Sequence, residues 1–188
     1  CRQEESKMGG RGGSGSFGFA SINATRSKIA NLKKEQLFIF SPSGDLLYKE
    51  QGTAQHTGYG DADYKGNIVL HNHPEGVLPV PSLKDIETWQ KSGAKAIIIE
   101  SRDATFTLSG PHNKGFYETL AYNHNAVRRA VREAASKVSA DYKAGKYKSV
   151  QEAREASRRA QTEATNNAYA KFAKAAGVRY SFKWKKKS

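Results

Sequence analysis

Cysteine is almost absent: Cys1 is the single one in 188 residues. That excludes an internal disulfide and a cysteine-rich zinc knuckle, so any metal here must be held by His, Asp or Glu. The lone thiol fits a reducing compartment. Long apolar runs are also missing. None approaches the roughly 18 residues that span a bilayer, and the N-terminus lacks the apolar core of a signal peptide. A cytoplasmic protein, or a delivered effector, is the expectation. The chain opens on Cys1 rather than Met, which reads as a fragment or a processed piece. Apolar residues make up 37%, below the usual share, so part of the chain is expected to be tail or exposed helix. The length suits one domain with its own core, or one domain plus an appendage.

Negative charge is scarce in one half only. Residues 126–188 hold 17 Lys and Arg against 5 Asp and Glu, a net +12, whereas residues 1–125 hold 14 against 13, a net +1. A cationic C-terminal part favours nucleic acid, an acidic protein or an anionic surface as partner, or serves as a solvated helical face. The candidate contacts are Arg128, Arg129, Arg132, Arg158, Arg159, Lys185, Lys186 and Lys187.

Residues 1–16 are Gly, Ser and charge and read as a flexible leader. Residues 37–40 are an apolar run, followed by the turn formers Ser41-Pro42-Ser43-Gly44-Asp45 and then Leu46-Leu47-Tyr48, which predicts a β-hairpin. Residues 52–66 read as a loop or weak strand. Ile68-Val69-Leu70, bounded by Gly66 and Pro74, predicts a buried strand leading into His71. Ser82 to Trp89 follows Pro81 with a capping pattern at its start, and Gly93 stops that helix. Residues 96–99 and 105–108 predict a strand pair. From about Lys114 the period is helical, with Leu120, Val127, Val131, Ala134 and Val138 on one stripe. After a break at Ala144-Gly145, Ser149 and Glu152 form a second capping pattern. Val150, Ala153, Ser157, Ala160, Ala164 and Ala168 then make a narrow seam for a close antiparallel helix pair. Residues 178–184 alternate and predict a returning strand. The element order favours a mixed α/β or α+β fold, divided as leader 1–16, motif-bearing domain 17–113 and basic helical hairpin 114–188, packed on that domain or appended to it.

The informative stretch is Leu70-His71-Asn72-His73-Pro74, then Ser82-Leu83-Lys84-Asp85. Alternate residues of a strand share a face, so His71 and His73 point one way, about 6 to 7 Å apart along the strand, and both can reach one ion. Asp85 falls in the first turn of the following helix, which the loop 74–81 can fold back over the strand end. Two His and one Asp with an open position form the ligand set of a catalytic zinc site, not a structural one. His56, His112 and His124 show no partner spacing and read as ordinary polar residues. Tyr59 and Tyr64 are expected to pack or to flank the cleft. The tripeptide His-Asn-His is not an HNH nuclease signature, because the downstream His of that unit is missing.

These residues resemble the JAMM (JAB/MPN) metalloproteases, and in particular their RadC-like branch. That family carries an upstream Glu, then His-x-His-Pro, then Ser-x-x-Asp. Here His71-Asn72-His73-Pro74-Glu75-Gly76 and Pro81-Ser82-Leu83-Lys84-Asp85 are similar, with eight residues between the second His and the Ser where the family usually has seven. The resemblance covers residues from about 30 to 110. It implies a three-layer fold of the kind shared with cytidine deaminases, with a mixed central sheet. It also implies Zn2+ on His71, His73 and Asp85, with Ser82 stabilising the oxyanion. The general base is implied to be a Glu just before the first strand: Glu35 fits that place, and Glu50 is the alternate. Three functions follow as expectations. The first is a zinc-dependent isopeptidase or peptidase acting on a peptide or isopeptide. The second is a nucleic-acid-associated module, and the third an effector or toxin domain of a larger phage or secretion-system protein.

Overall fold

In the computed structural model the described residues are 21–52, 63–112 and 115–186. The leader 1–16, His56, Tyr59 and Lys187 lie outside them. The elements are α1 (Ile22–Ile29), β1 (Gln36–Phe40), β2 (Leu46–Gln51), β3 (Ile68–Asn72), α2 (Leu83–Ser92), β4 (Ala96–Glu100), β5 (Ala104–Ser109), α3 (Gly115–Tyr122), α4 (His124–Lys143), α5 (Val150–Ala175) and β6 (Arg179–Trp184). The six strands form one mixed sheet in the order β2-β1-β3-β4-β5-β6. Only β3 and β4 run parallel, and parallel neighbours need a crossover, here α2. The other neighbours are antiparallel.

Strand parity sorts the side chains onto two faces. Leu37, Ile39, Val69, Ile97, Ile99, Phe106 and Leu108 point to one face, where Ile86 and Trp89 of α2, Phe116 and Leu120 of α3, and Tyr169 and Ala173 of α5 close the main core. Phe38, Phe40 and Leu70 point to the other, where Ile29 of α1 completes a smaller cluster. The central strands are therefore buried on both sides, and residues 37–40 carry no polar alternation for that reason. Helices on both faces of a mixed sheet give a mixed α/β protein. Residues 115–186 share the main core: Phe116, Leu120, Val127, Tyr169, Ala173 and Val178 all belong to it. No helix among the described residues is long and apolar enough to cross a membrane.

Several local details differ from the sequence expectations. α1 was not anticipated; Ser21 caps it by accepting from the Ala24 N–H at 3.2 Å, but eight residues carry little periodicity. One long helix was expected from Lys114, yet Asn123, with φ −89° and ψ 7°, separates α3 from α4. At α5 Ser149 accepts from the Glu152 N–H, but the Glu152 carboxylate accepts from the Lys148 N–H at 2.7 Å, one residue before the cap. The seam of small residues on α5 is only half-buried around Ala153, Ser157, Ala160, Ala164 and Ala168, and Val150 is exposed. The buried positions are Thr162, Thr165, Tyr169 and Ala173. The two threonines satisfy their hydroxyls on the carbonyls of Arg158 and Gln161, four residues back, and so present methyl groups to the core.

The docking of α1 rests on Ile29, fully buried among Phe38, Phe40 and Leu70. Ile29→Ala is expected to cost about 2–5 kcal/mol in urea unfolding; a loss under about 1 kcal/mol would show that α1 does not close this face.

Candidate metal centre

β3 aligns His71 with Leu37 on β1 and with Ile99 on β4. All three therefore project to the main-core face, where α2 lies. His73 follows two residues later. Its N–H donates to the Glu100 carbonyl at 2.8 Å, which prolongs the β3–β4 ladder by one step and keeps His73 on the same face. The Nε2 atoms of His71 and His73 stand 3.2 Å apart. Asp85 closes the triangle, with Oδ1 at 3.5 Å from His71 Nε2 and Oδ2 at 3.8 Å from His73 Nε2. These three residues form a group of donor atoms all within 4.8 Å of one another, and all three are buried. Two nitrogens bound to tetrahedral zinc at about 2.05 Å are separated by about 3.3 Å. The His71–His73 and His71–Asp85 edges of 3.2 and 3.5 Å match that spacing, and the His73–Asp85 edge is longer at 3.8 Å, so two of the three edges already suit a small divalent cation.

The surroundings fix two of the three donors by hydrogen bonds. His73 Nδ1 lies 2.7 Å from the Leu78 carbonyl. A carbonyl only accepts, so Nδ1 carries the proton and Nε2 keeps its lone pair for a ligand role. Among the described residues His71 Nδ1, which is buried, has no hydrogen-bond partner, so its tautomer is not set in the same way. Asp85 is held by a complete capping box. The Ser82 N–H donates to Asp85 Oδ2 at 2.7 Å, the Ser82 hydroxyl donates to the same oxygen at 2.7 Å, and the Asp85 N–H donates to Ser82 Oγ at 3.1 Å. The helix cap and the presentation of the carboxylate are thus one arrangement. The loop 74–81 brings α2 back over the strand end. It turns through a bond from the Val77 N–H to the Pro74 carbonyl at 3.1 Å and through Gly76 at φ +95°, and it buries Val80.

Burial pushes the His71 imidazole down to about 4; the Asp85 carboxylate pulls it back up and His73 adds to the fall. His71 is therefore neutral at pH 7, the form a metal requires. Asp85 also raises the phenol of Tyr169, whose burial is the larger cause of its rise to about 12. Tyr169 on α5 thus stays protonated beside the site.

Glu35 is buried directly ahead of β1. Continuing the Leu37–His71 register by two residues brings it level with His73. Asn72 pins that segment from both sides: its side-chain oxygen accepts from the Gln36 N–H at 2.8 Å, and its amide donates to the Lys34 carbonyl at 3.1 Å. Glu50 pairs with Leu37 across β1–β2, so it shares the histidine face one strand further out, and it accepts from the Tyr48 hydroxyl at 3.0 Å. Ser82 is exposed at the helix start. His112 lies outside the site, with Nε2 2.7 Å from the Ala94 carbonyl and its ring 4.6 Å from that of Trp89. His124 opens α4.

The cationic set divides. Arg128, Arg129 and Arg132 are exposed on α4. Arg158 and Arg159 are engaged within the fold, Arg158 with Asp103 and the Val77 carbonyl, Arg159 with Glu163 and the ring of Trp184. Lys185 binds Glu100 at 2.8 Å and the Ser101 carbonyl at 2.6 Å, and Lys186 is exposed. Sequence reasoning gave no role to Asn72. Its signal was a poor strand former between two histidines in an apolar strand.

Comparison of this chain with protein-family models, with curated proteins and with solved structures finds no match.

In the metal-free protein His71 takes up its proton near pH 4, whereas in the unfolded chain it does so near 6.5. Between these values the unfolded chain binds more protons, so stability falls as pH drops through that window. Urea midpoints of chelator-treated protein should decrease from pH 7 to pH 4.5, and His71→Gln should flatten the decrease. Ser82→Ala removes the cap and is expected to cost about 1 kcal/mol in the same assay.

Proposed function

We propose that the chain is a zinc-dependent hydrolase of amide bonds, of the isopeptidase or peptidase type. The carrying observation is the buried triangle of His71, His73 and Asp85, two of whose edges have the spacing of donors on tetrahedral zinc. Zinc in such a site supplies an acidified water and polarises a carbonyl. His71 and His73 would hold the ion through Nε2 and Asp85 through Oδ1, the oxygen not taken by Ser82. Glu35, level with His73 and held by the Asn72 amide on both sides, takes a proton from the attacking water and returns it to the leaving amine. Ser82 donates to the oxyanion once its hydroxyl turns from Asp85 Oδ2. The order of these residues matches the JAMM motif, which supports the same reading.

Elemental analysis after incubation with zinc and desalting should give about one zinc per chain, abolished in His73→Ala. Glu35→Gln should keep the zinc and lower the cleavage of fluorogenic peptides and isopeptides by about 10²- to 10⁴-fold, while Glu50→Gln stays close to wild type. A wild-type chain that binds no zinc would remove the proposal. Unchanged turnover in Glu35→Gln would remove Glu35 as the base.

A second reading, attachment to nucleic acid, is favoured by α4. Arg128 and Arg132 are exposed, one helical turn apart, and paired with no carboxylate among the described residues. Arg128→Glu with Arg132→Glu should weaken DNA binding and flatten its dependence on salt; unchanged affinity would exclude this face.

A further inference from the structure

The loop 74–81 is tied to the last helix. Arg158, in the first third of α5, donates through Nη2 to the Val77 carbonyl at 3.0 Å and through Nη1 to the Asp103 carboxylate. Its side chain is three-quarters buried, on the helix side that continues through Thr162, Thr165, Tyr169 and Ala173 into the main core. Asp103 is fixed in turn: it sits in the β4–β5 turn, accepts from the Ser101 hydroxyl at 3.1 Å, and its carbonyl accepts from the Lys185 N–H at 2.8 Å. The next residue after Val77 is Leu78, whose carbonyl accepts the Nδ1–H of His73. One guanidinium thus joins three segments, and the peptide it holds is adjacent to the one that orients a donor of the triad.

We propose that Arg158 is a positioning residue for the metal centre: it clamps the loop at Val77 so that the Leu78 carbonyl keeps His73 in the tautomer and orientation that aim Nε2 at Asp85 and His71. This rests on the reading of the triad as a metal site. The planar fork of arginine suits the task, because it reaches the carbonyl and the carboxylate at once, which an ammonium on a flexible stem does not. Burial adds to the strength of both bonds, since water competes less for the acceptors. The proposal also gives α5 a function at the site. The C-terminal helices, outside the stretch that resembles the metalloproteases, supply part of the frame of the metal centre.

The test compares wild type, Arg158→Gln, Arg158→Lys and Arg159→Ala, each as the full chain. Zinc affinity is read by competition with a chromophoric chelator. The visible spectrum of the cobalt-loaded protein reads ligand geometry. The proton on His73 Nδ1 is followed in the metal-free protein by NMR. Both Arg158 variants should bind zinc about tenfold to a hundredfold more weakly, the range seen when partners of metal-binding histidines are removed. They should also shift the cobalt spectrum and hasten exchange of the Nδ1 proton. Arg159→Ala, which breaks only a surface pair with Glu163 and a stacking contact with Trp184, should change none of these. Should Arg158→Gln fail to fold, Arg158→Lys carries the test, as it keeps the charge and the helix propensity. Wild-type affinity, an unshifted cobalt spectrum and a protected Nδ1 proton in Arg158→Lys would overturn the proposal. A wild-type chain that binds neither zinc nor cobalt would instead remove the metal reading itself.

Discussion

The register of β3 between its two neighbours governs what the rest of the molecule can do. Leu37, His71 and Ile99 stand side by side across three strands, and this alignment sends both imidazoles toward α2. A slip of one residue would turn His71 and His73 to the α1 face and carry Asn72 to the other. Such a slip would also carry Ile68 and Leu70 to the main-core face in place of Val69 and empty the cluster around Ile29 of Leu70, so the packing of the core on both faces holds the histidines in place. The site is a by-product of core parity: the same alternation that fills the main core with Leu37, Val69 and Ile99 delivers the two donors to its edge.

The third donor depends on a different constraint. Asp85 is the N3 residue of α2, and its carboxylate closes the capping box of that helix. The bonds that cap the helix start therefore also hold a carboxylate at the strand end. The β3-α2-β4 crossover sets where that start lies, because β4 must return parallel to β3 with α2 packed on the main-core side. Trp89, buried one turn further along the helix from Asp85 and Ile86, anchors α2 against Phe116 at a ring distance of 6.4 Å. A local hydrogen-bond motif and a long-range packing contact thus act on the same carboxylate.

The sequence revealed much of this and hid a definable remainder. The parity of His71 and His73, the cap at Ser82, the stop at Gly93 and the six strands were legible because each depends on neighbours within a few residues. α1 was not, because eight polar-rich residues show no stripe until Ile29 meets Phe38 and Phe40. The buried side of α5 was misplaced for a chemical reason. Alanines looked like the seam, but Thr162 and Thr165 spend their hydroxyls on their own helix and pack as small apolar groups. Arg158 looked like one more surface cation. Its partners Val77 and Asp103 are 81 and 55 residues away, and no local pattern announces a pairing of that span. Asn72 is the same case on a shorter scale, since its bonds to Lys34 and Gln36 exist only once β1 lies beside β3.

β6 takes the last place in the sheet, where an unpaired row of backbone groups can template a strand from another molecule. Arg179, Lys183 and Lys186 are exposed on this strand and just beyond it, and two copies approaching edge to edge would bring these cations together. The cations along this edge therefore act as a guard against fibril-like self-association, one that weakens as added salt screens it.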